Sequence, residues 1–372
     1  MSLQRPDRLR DRAAQLLMVR FGSNVPPPVA AEDDVERIRG LLSRCPVGGV
    51  ILFRGHVPEI RDALNEVQAA SAIPLLVGSD LERGAGQQVE GATRFPHAMA
   101  LGHAPDPEEA AACLARATAL EARALGIHLA FAPVADIHLM AENPIIGPRA
   151  FGSDPQAVGR CVEAYVQTAR ENGLLTCAKH FPGHGRTVTD SHETLPVVDT
   201  PRRDLTATDF LPFRSAITVG VDTVMTAHVA YPSLDPTGTP ATASAPILTT
   251  LLRDEMAFEG CVVSDSLLME GIAGSGTPGK QAAALVAAGV DLLLDPQEPE
   301  AVVDGLVAAV ENGSLSEARL NQAFDRVWTM KERAFSFARE PLPAVGDLPV
   351  FEQEANRLAR SGMTVRGEKI EW

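Results

Sequence analysis

The fourteen residues Lys179–His192 (KHFPGHGRTVTDSH) hold the densest group of reactive side chains in the chain: a lysine, three histidines, an arginine and an aspartate. Pro182, Gly183 and Gly185 exclude a helix there, so the segment reads as a loop that leaves a strand and turns sharply. Asp190 and His192 are two residues apart, close enough for the carboxylate to orient and polarise the imidazole. That pairing makes a histidine a usable acid or base near neutral pH. Two other readings stand beside it. The histidines could brace the loop by bonding backbone groups, or they could hold a metal. Against the metal, His180 and His184 would share a face only on a helix, and the chain contains no HExxH. No metal and no cofactor are expected.

Three further segments carry candidate chemistry. Ser264–Asp265–Ser266 ends an apolar run, where Asp265 could serve as a nucleophile, although the same dipeptide often caps a helix. Arg149, bounded by Gly147, Pro148 and Gly152 in NPIIGPRAFGSD, suits a fixed donor to an oxygen-rich ligand, or a salt bridge bracing its own loop. Asp80 opens SDLERGAGQQV, where it could accept two sugar hydroxyls. Its GxG lies in neither a phosphate loop nor a dinucleotide site.

These residues need elements to position them. Short apolar runs at Gln15–Phe21, Gly48–Phe53, Pro74–Asp80 and His128–Asp136 read as strands, as do Leu174–Phe181, Asp222–His228, Cys261–Ser266 and Asp291–Pro296. Ala-rich amphipathic stretches such as Pro107–Gly126 and Gln156–Asn172 separate them. Runs apolar on both faces indicate a parallel sheet covered by helices. Eight such strands fit a (β/α)8 TIM-like barrel, with an open doubly wound sheet as the alternative. Asp80, Asp136, Lys179 with His180, His228 and Asp265 all fall at C-terminal strand ends. In a barrel those ends meet at one mouth.

The chain has 372 residues, 45% of them apolar, enough for a large core and too many for a disordered chain. Its net charge of −15 argues against nucleic acid or an anionic membrane as partner. Five widely spaced cysteines without a CxxC predict buried free thiols rather than disulfides or a zinc knuckle. No apolar run reaches membrane-spanning length and the N-terminus shows no leader pattern, which points to the cytoplasm. Residues 1–337 are expected to form one catalytic domain. Residues 338–372 would add a Pro/Gly linker, a short helix over Phe351–Arg360 and a strand at Gly362–Glu368, docked on the barrel or on a partner.

Taken together, the motifs resemble glycoside hydrolase family 3, and within it the β-N-acetylglucosaminidase subgroup. KHFPGHG, four residues, then DSH matches that subgroup's signature. GGVILF, FAPVADI, NPIIGPRAFGSD, VMTAHVAYPSLD and VVSDSLLMEGI follow in the family's order, over roughly residues 10 to 335. The resemblance implies a (β/α)8 barrel and a retaining mechanism. In it Asp265 is the nucleophile, His192 the acid/base and Asp190 its dyad partner, while Asp80, Arg149, Lys179, His180 and His228 bind the sugar. The implied substrate is a terminal β-linked GlcNAc, as in muropeptides of cell-wall recycling. A phosphorylase using phosphate as acceptor, a β-glucosidase and a catalytically silent sugar-binding barrel are the alternatives. Two departures stand out. The segment after Asp80 reads DLERGAGQQV where the subgroup usually has DQEGGRV, and the nucleophile motif reads SDS rather than the frequent SDD.

Overall fold

The computed structural model describes residues 3–188, 195–268, 276–337 and 342–363. Eight parallel strands form its centre: β1 Leu17–Phe21, β2 Gly49–Leu52, β3 Leu76–Ser79, β4 Leu129–Ala130, β5 Leu175–Phe181, β6 Thr223–Thr226, β7 Cys261–Val263 and β8 Leu293–Leu294. Neighbours follow chain order from β1 to β7, and β8 returns to pair with β1. A parallel bridge from Val263 to Leu292 brings β7 to the β8 segment and completes the ring. The fold is thus the TIM-like barrel. An open doubly wound sheet would leave two unpaired edges.

Every residue of β2, β3, β5 and β6 is buried, so their apolar residues need not alternate with exposed polar ones. The regular strands are shorter than their apolar runs, and β4 shows why. Its run continues to Asp136, but Pro133 has no N–H to donate, so the regular ladder stops at Ala130. A single bridge between Val134 and Lys179 then carries the extended chain on towards the mouth.

The helices before β4 and β5 are closed by local signals. In Pro107–Leu125 the Asp106 side chain accepts from Glu109 N at 3.1 Å, and Gly126 ends the helix at φ +94°. In Pro155–Glu171 Asp154 accepts from Ala157 N at 2.7 Å. Each such N-cap contributes about 1 kcal/mol and fixes where its helix begins.

Charges at the opposite end of the barrel are structural. The Asp291 carboxylate receives Arg253 at 2.6 Å, Arg319 at 2.9 Å and Arg326 at 3.1 Å. Lys331 is fully buried there, with its ammonium on Gln15 Oε1.

The tail forms a helix over Glu352–Met363 that buries Ala355 and Leu358. Just before it, Val350 N donates to Glu121 Oε1 at 2.9 Å and Phe351 N to Thr93 Oγ1 at 3.1 Å. The strand expected from Gly362 does not begin there, because Gly362 and Met363 complete the helix. The remainder of that expected strand, residues 364–368, lies outside the described residues.

Candidate active site

The C-terminal strand ends open into a cleft of about 570 Å³. Asp80, Arg149, Lys179, His180 and Asp265, drawn from four separate segments, all line it. Asp190 and His192 lie outside the described residues. His228 does not line the cleft; its ring is held beneath it, Nδ1 2.8 Å from Thr242 Oγ1 and Nε2 3.2 Å from Ser266 O.

Lys179 sits at the end of β5 with its side chain almost wholly buried. Its ammonium bonds Asp80 Oδ1 at 2.7 Å and Glu82 Oε1 at 2.8 Å. Arg149 grips the same Glu82 in a fork, Nη2 to Oε1 at 2.7 Å and Nε to Oε2 at 2.9 Å, and also bonds Ile145 O of its own loop at 3.2 Å. Both readings of Arg149, loop brace and cleft donor, therefore coexist in one residue. Burial works against charge on all three groups. Mutual attraction overrides it, holding Glu82 far below the carboxylate range and raising Lys179 and Arg149. Two cations and two carboxylates leave this part of the cleft near neutral but crowded with fixed dipoles. Such a surface suits an uncharged ligand rich in hydroxyl groups.

Asp136 organises the loop that follows β5. Its Oδ2 accepts from His180 Nδ1 at 2.7 Å and from His180 N at 3.0 Å, and its Oδ1 accepts from His184 N at 2.6 Å. A carboxylate only accepts, so the His180 proton sits on Nδ1. Its Nε2 faces Arg149 Nη2 at 3.4 Å. Gly185 lets the loop lie against β4's continuation, since a Cβ there would come 1.7 Å from Ile137 O. Burial pushes the His184 imidazole down to about 4, so it is neutral at pH 7.

Asp265 follows β7. Burial would raise its carboxyl, but the charges of His180 and His228, the Ser266 N–H and Lys179 outweigh burial and hold it below the ordinary range. Ser266 N donates to Asp265 Oδ1 at 2.8 Å. Among the described residues Asp265 makes no ion pair within 4.0 Å, unlike Asp80 and Glu82. It is a charged carboxylate with one oxygen fixed and the other without a hydrogen-bond partner among the described residues, which is what attack on an electrophilic carbon requires.

Reasoning from the sequence missed Glu82, although a signal was present. Leu81 is fully buried between Asp80 and Glu82, so the two acids flank one inward-pointing side chain at a strand end. It also missed Arg94, which lines the cleft and is exposed, and the pair of Arg20 with Asp295 at the barrel seam.

Comparison with known proteins agrees with this geometry. Residues 8–330 match the glycosyl hydrolase family 3 N terminal domain. The chain is 38% identical over 344 residues to a β-hexosaminidase of Chromobacterium violaceum, covering 90% of this chain and 94% of that one. Among solved structures it resembles a family 3 β-N-acetylglucosaminidase from Paenibacillus sp. FPU-7, with a TM-score of 0.85 and 35% identity. That match covers 96% of this chain and 68% of the other. The β-glucoside phosphorylase BglX has the same TM-score at 24% identity, covering 96% of this chain and 65% of that one, a likeness of fold alone. A barrel whose mouth gathers a carboxylate without an ion-pair partner among the described residues, a Lys–Asp–Glu–Arg cluster and an Asp-held histidine, matched over nearly its whole length, belongs to glycosyl hydrolase family 3.

Proposed function

We propose that the chain is a retaining exo-β-N-acetylglucosaminidase that removes terminal β-linked GlcNAc. The observation that carries this reading is Asp265: an ionised carboxylate in the cleft, without an ion-pair partner among the described residues, beside a set of fixed donors. The β-hexosaminidase relative and the Paenibacillus β-N-acetylglucosaminidase supply the sugar.

In the proposed mechanism Oδ2 of Asp265 attacks the anomeric carbon and the glycosidic C–O bond breaks. His192, cationic at the outset and oriented by Asp190, gives its proton to the leaving oxygen. Water then attacks the same carbon from the vacated side, His192 takes its proton, and the bond to Asp265 breaks. Two inversions give net retention. A histidine acid ends the first step neutral, so no second anion forms beside the glycosyl ester. Asp80, Lys179, Arg149 and His180 would hold the ring hydroxyls, while His228 acts from beneath. Muropeptides as the natural glycosides belong to the same proposal, and so does a cytoplasmic setting, which the five buried free thiols support.

The test is nitrophenol release from its β-GlcNAc and β-glucose conjugates, with and without inorganic phosphate. Preference for β-GlcNAc with free GlcNAc as product supports the proposal. GlcNAc-1-phosphate as the main product would replace hydrolysis with phosphorolysis. Preference for β-glucose would replace the sugar, and inactivity of the folded protein on both would refute the proposal.

A further inference from the structure

Ser266 is held at each of its polar atoms, and the groups holding it come from three strand ends. Its N–H donates to Asp265 Oδ1 at 2.8 Å, after β7. Its Oγ–H donates to Asp295 Oδ2 at 3.0 Å, after β8. Its carbonyl lies 3.2 Å from His228 Nε2, after β6. Asp295 is itself nearly buried and is gripped by Arg20 of β1, Nε to Oδ1 at 3.1 Å with Nη2 on Oδ2. The Arg20 guanidinium also lies over the Phe53 ring, 5.3 Å from its centroid. Asp295 has φ +56°, a left-handed backbone unusual for a non-glycine residue, and its N–H bonds Met18 O at 2.7 Å.

We infer that Ser266 is the positioning residue of the candidate nucleophile, and that the Arg20–Asp295 pair across the barrel seam locks it in place. The inference rests on the proposed role of Asp265. A carboxylate attacking a carbon must present one oxygen in line, and a misplacement near 1 Å costs on the order of 10²-fold in rate. The N–H that fixes Asp265 belongs to Ser266, so it fixes the carboxylate only as well as Ser266 is itself fixed. Clamping its hydroxyl and carbonyl removes that freedom. The ion pair has a second consequence. Asp295 is already an acceptor with its charge matched by Arg20, so position 266 must supply a donor. A serine does so, whereas an aspartate there would set two carboxylates against each other.

The experiment compares Ser266→Ala, Ser266→Thr and Ser266→Asp with the unaltered protein, using nitrophenyl β-GlcNAc as substrate. The inhibition constant of free GlcNAc reports ground-state sugar binding, and the melting temperature reports folding. Asp265→Ala is the reference for loss of the nucleophile. Ser266→Ala should lower kcat about 10- to 100-fold, with the GlcNAc inhibition constant changed less than about 3-fold. Ser266→Thr, which keeps the hydroxyl, should recover most of that loss, and Ser266→Asp should lose at least as much as Ser266→Ala. An active Ser266→Ala alongside an inactive Asp265→Ala would overturn the inference and leave the functional proposal standing. Equal losses in Ser266→Ala and Ser266→Thr would also overturn it, since packing rather than the hydroxyl would then matter. Activity retained by Asp265→Ala would overturn both.

Discussion

Asp136 holds His180 twice through one oxygen, its Oδ2 accepting from both the ring Nδ1 at 2.7 Å and the backbone N at 3.0 Å. The ring is thereby fixed in orientation, with a proton on Nδ1 and Nε2 turned towards Arg149 Nη2. Asp136→Asn can accept on one side only, and its amide must face an N–H of His180 or His184. We expect kcat/KM to fall about 10²-fold and stability by about 1–3 kcal/mol. Urea unfolding and nitrophenyl β-GlcNAc kinetics measure the two; unchanged kinetics would remove Asp136 from the site.

Glu82 is shared by Lys179 and Arg149, and its loss would leave Arg149 unpaired and Lys179 with Asp80 alone. Breaking such a buried cluster typically costs about 3–5 kcal/mol, so Glu82→Gln should be markedly less stable at pH 7. The pH dependence has a defined sign. Burial opposes the charge, but the two cations hold the folded carboxyl well below its ordinary value of 4.5. Its contribution is therefore complete above about pH 4.5 and is lost as pH falls towards the folded value. Melting temperatures between pH 7 and 3 should fall more steeply for the unaltered protein than for Glu82→Gln.

Lys331 behaves in the opposite way. Burial, with Gln15 as its only hydrogen-bond partner among the described residues, pushes its ammonium down to about 7 from an ordinary 10.5. Between those values the unfolded chain binds more protons, so this group's contribution improves as pH rises from 7 to 10. Lys331→Met should stabilise the protein at pH 7, by about 1–3 kcal/mol after the loss at Gln15, with the gain shrinking towards pH 10. A constant difference across that range would contradict the buried-charge explanation.

His192→Ala separates proton donation from binding. A poor leaving group needs the proton and a nitrophenolate does not. For an alkyl β-GlcNAc glycoside kcat/KM should fall about 10²- to 10⁴-fold, with a much smaller fall for the nitrophenyl glycoside. Equal falls on both would remove His192 from the acid role.

The barrel and its mouth were legible because both are written locally. Each strand is a short apolar run, and the polar residues stand at or just past its C-terminal end, so Asp80, Asp136, Lys179, His180 and Asp265 could be named without knowing their neighbours. His228 shows where that rule stops. It follows a strand as the others do, yet Thr242 and Ser266 hold it beneath the cleft. The partners were not legible at all. Glu82 reaches Lys179 and Arg149 across long stretches of chain, and Arg20 meets Asp295 from 275 residues away. Composition and periodicity fix which face of a strand is buried, since that depends on the residue's own side chain. Which carboxylate neutralises which cation depends on how the ring closes, because closure sets the distances that decide the Coulomb energy. Only the folded barrel brings the first strand to the last and so joins Arg20, Asp295 and Ser266 beside Asp265.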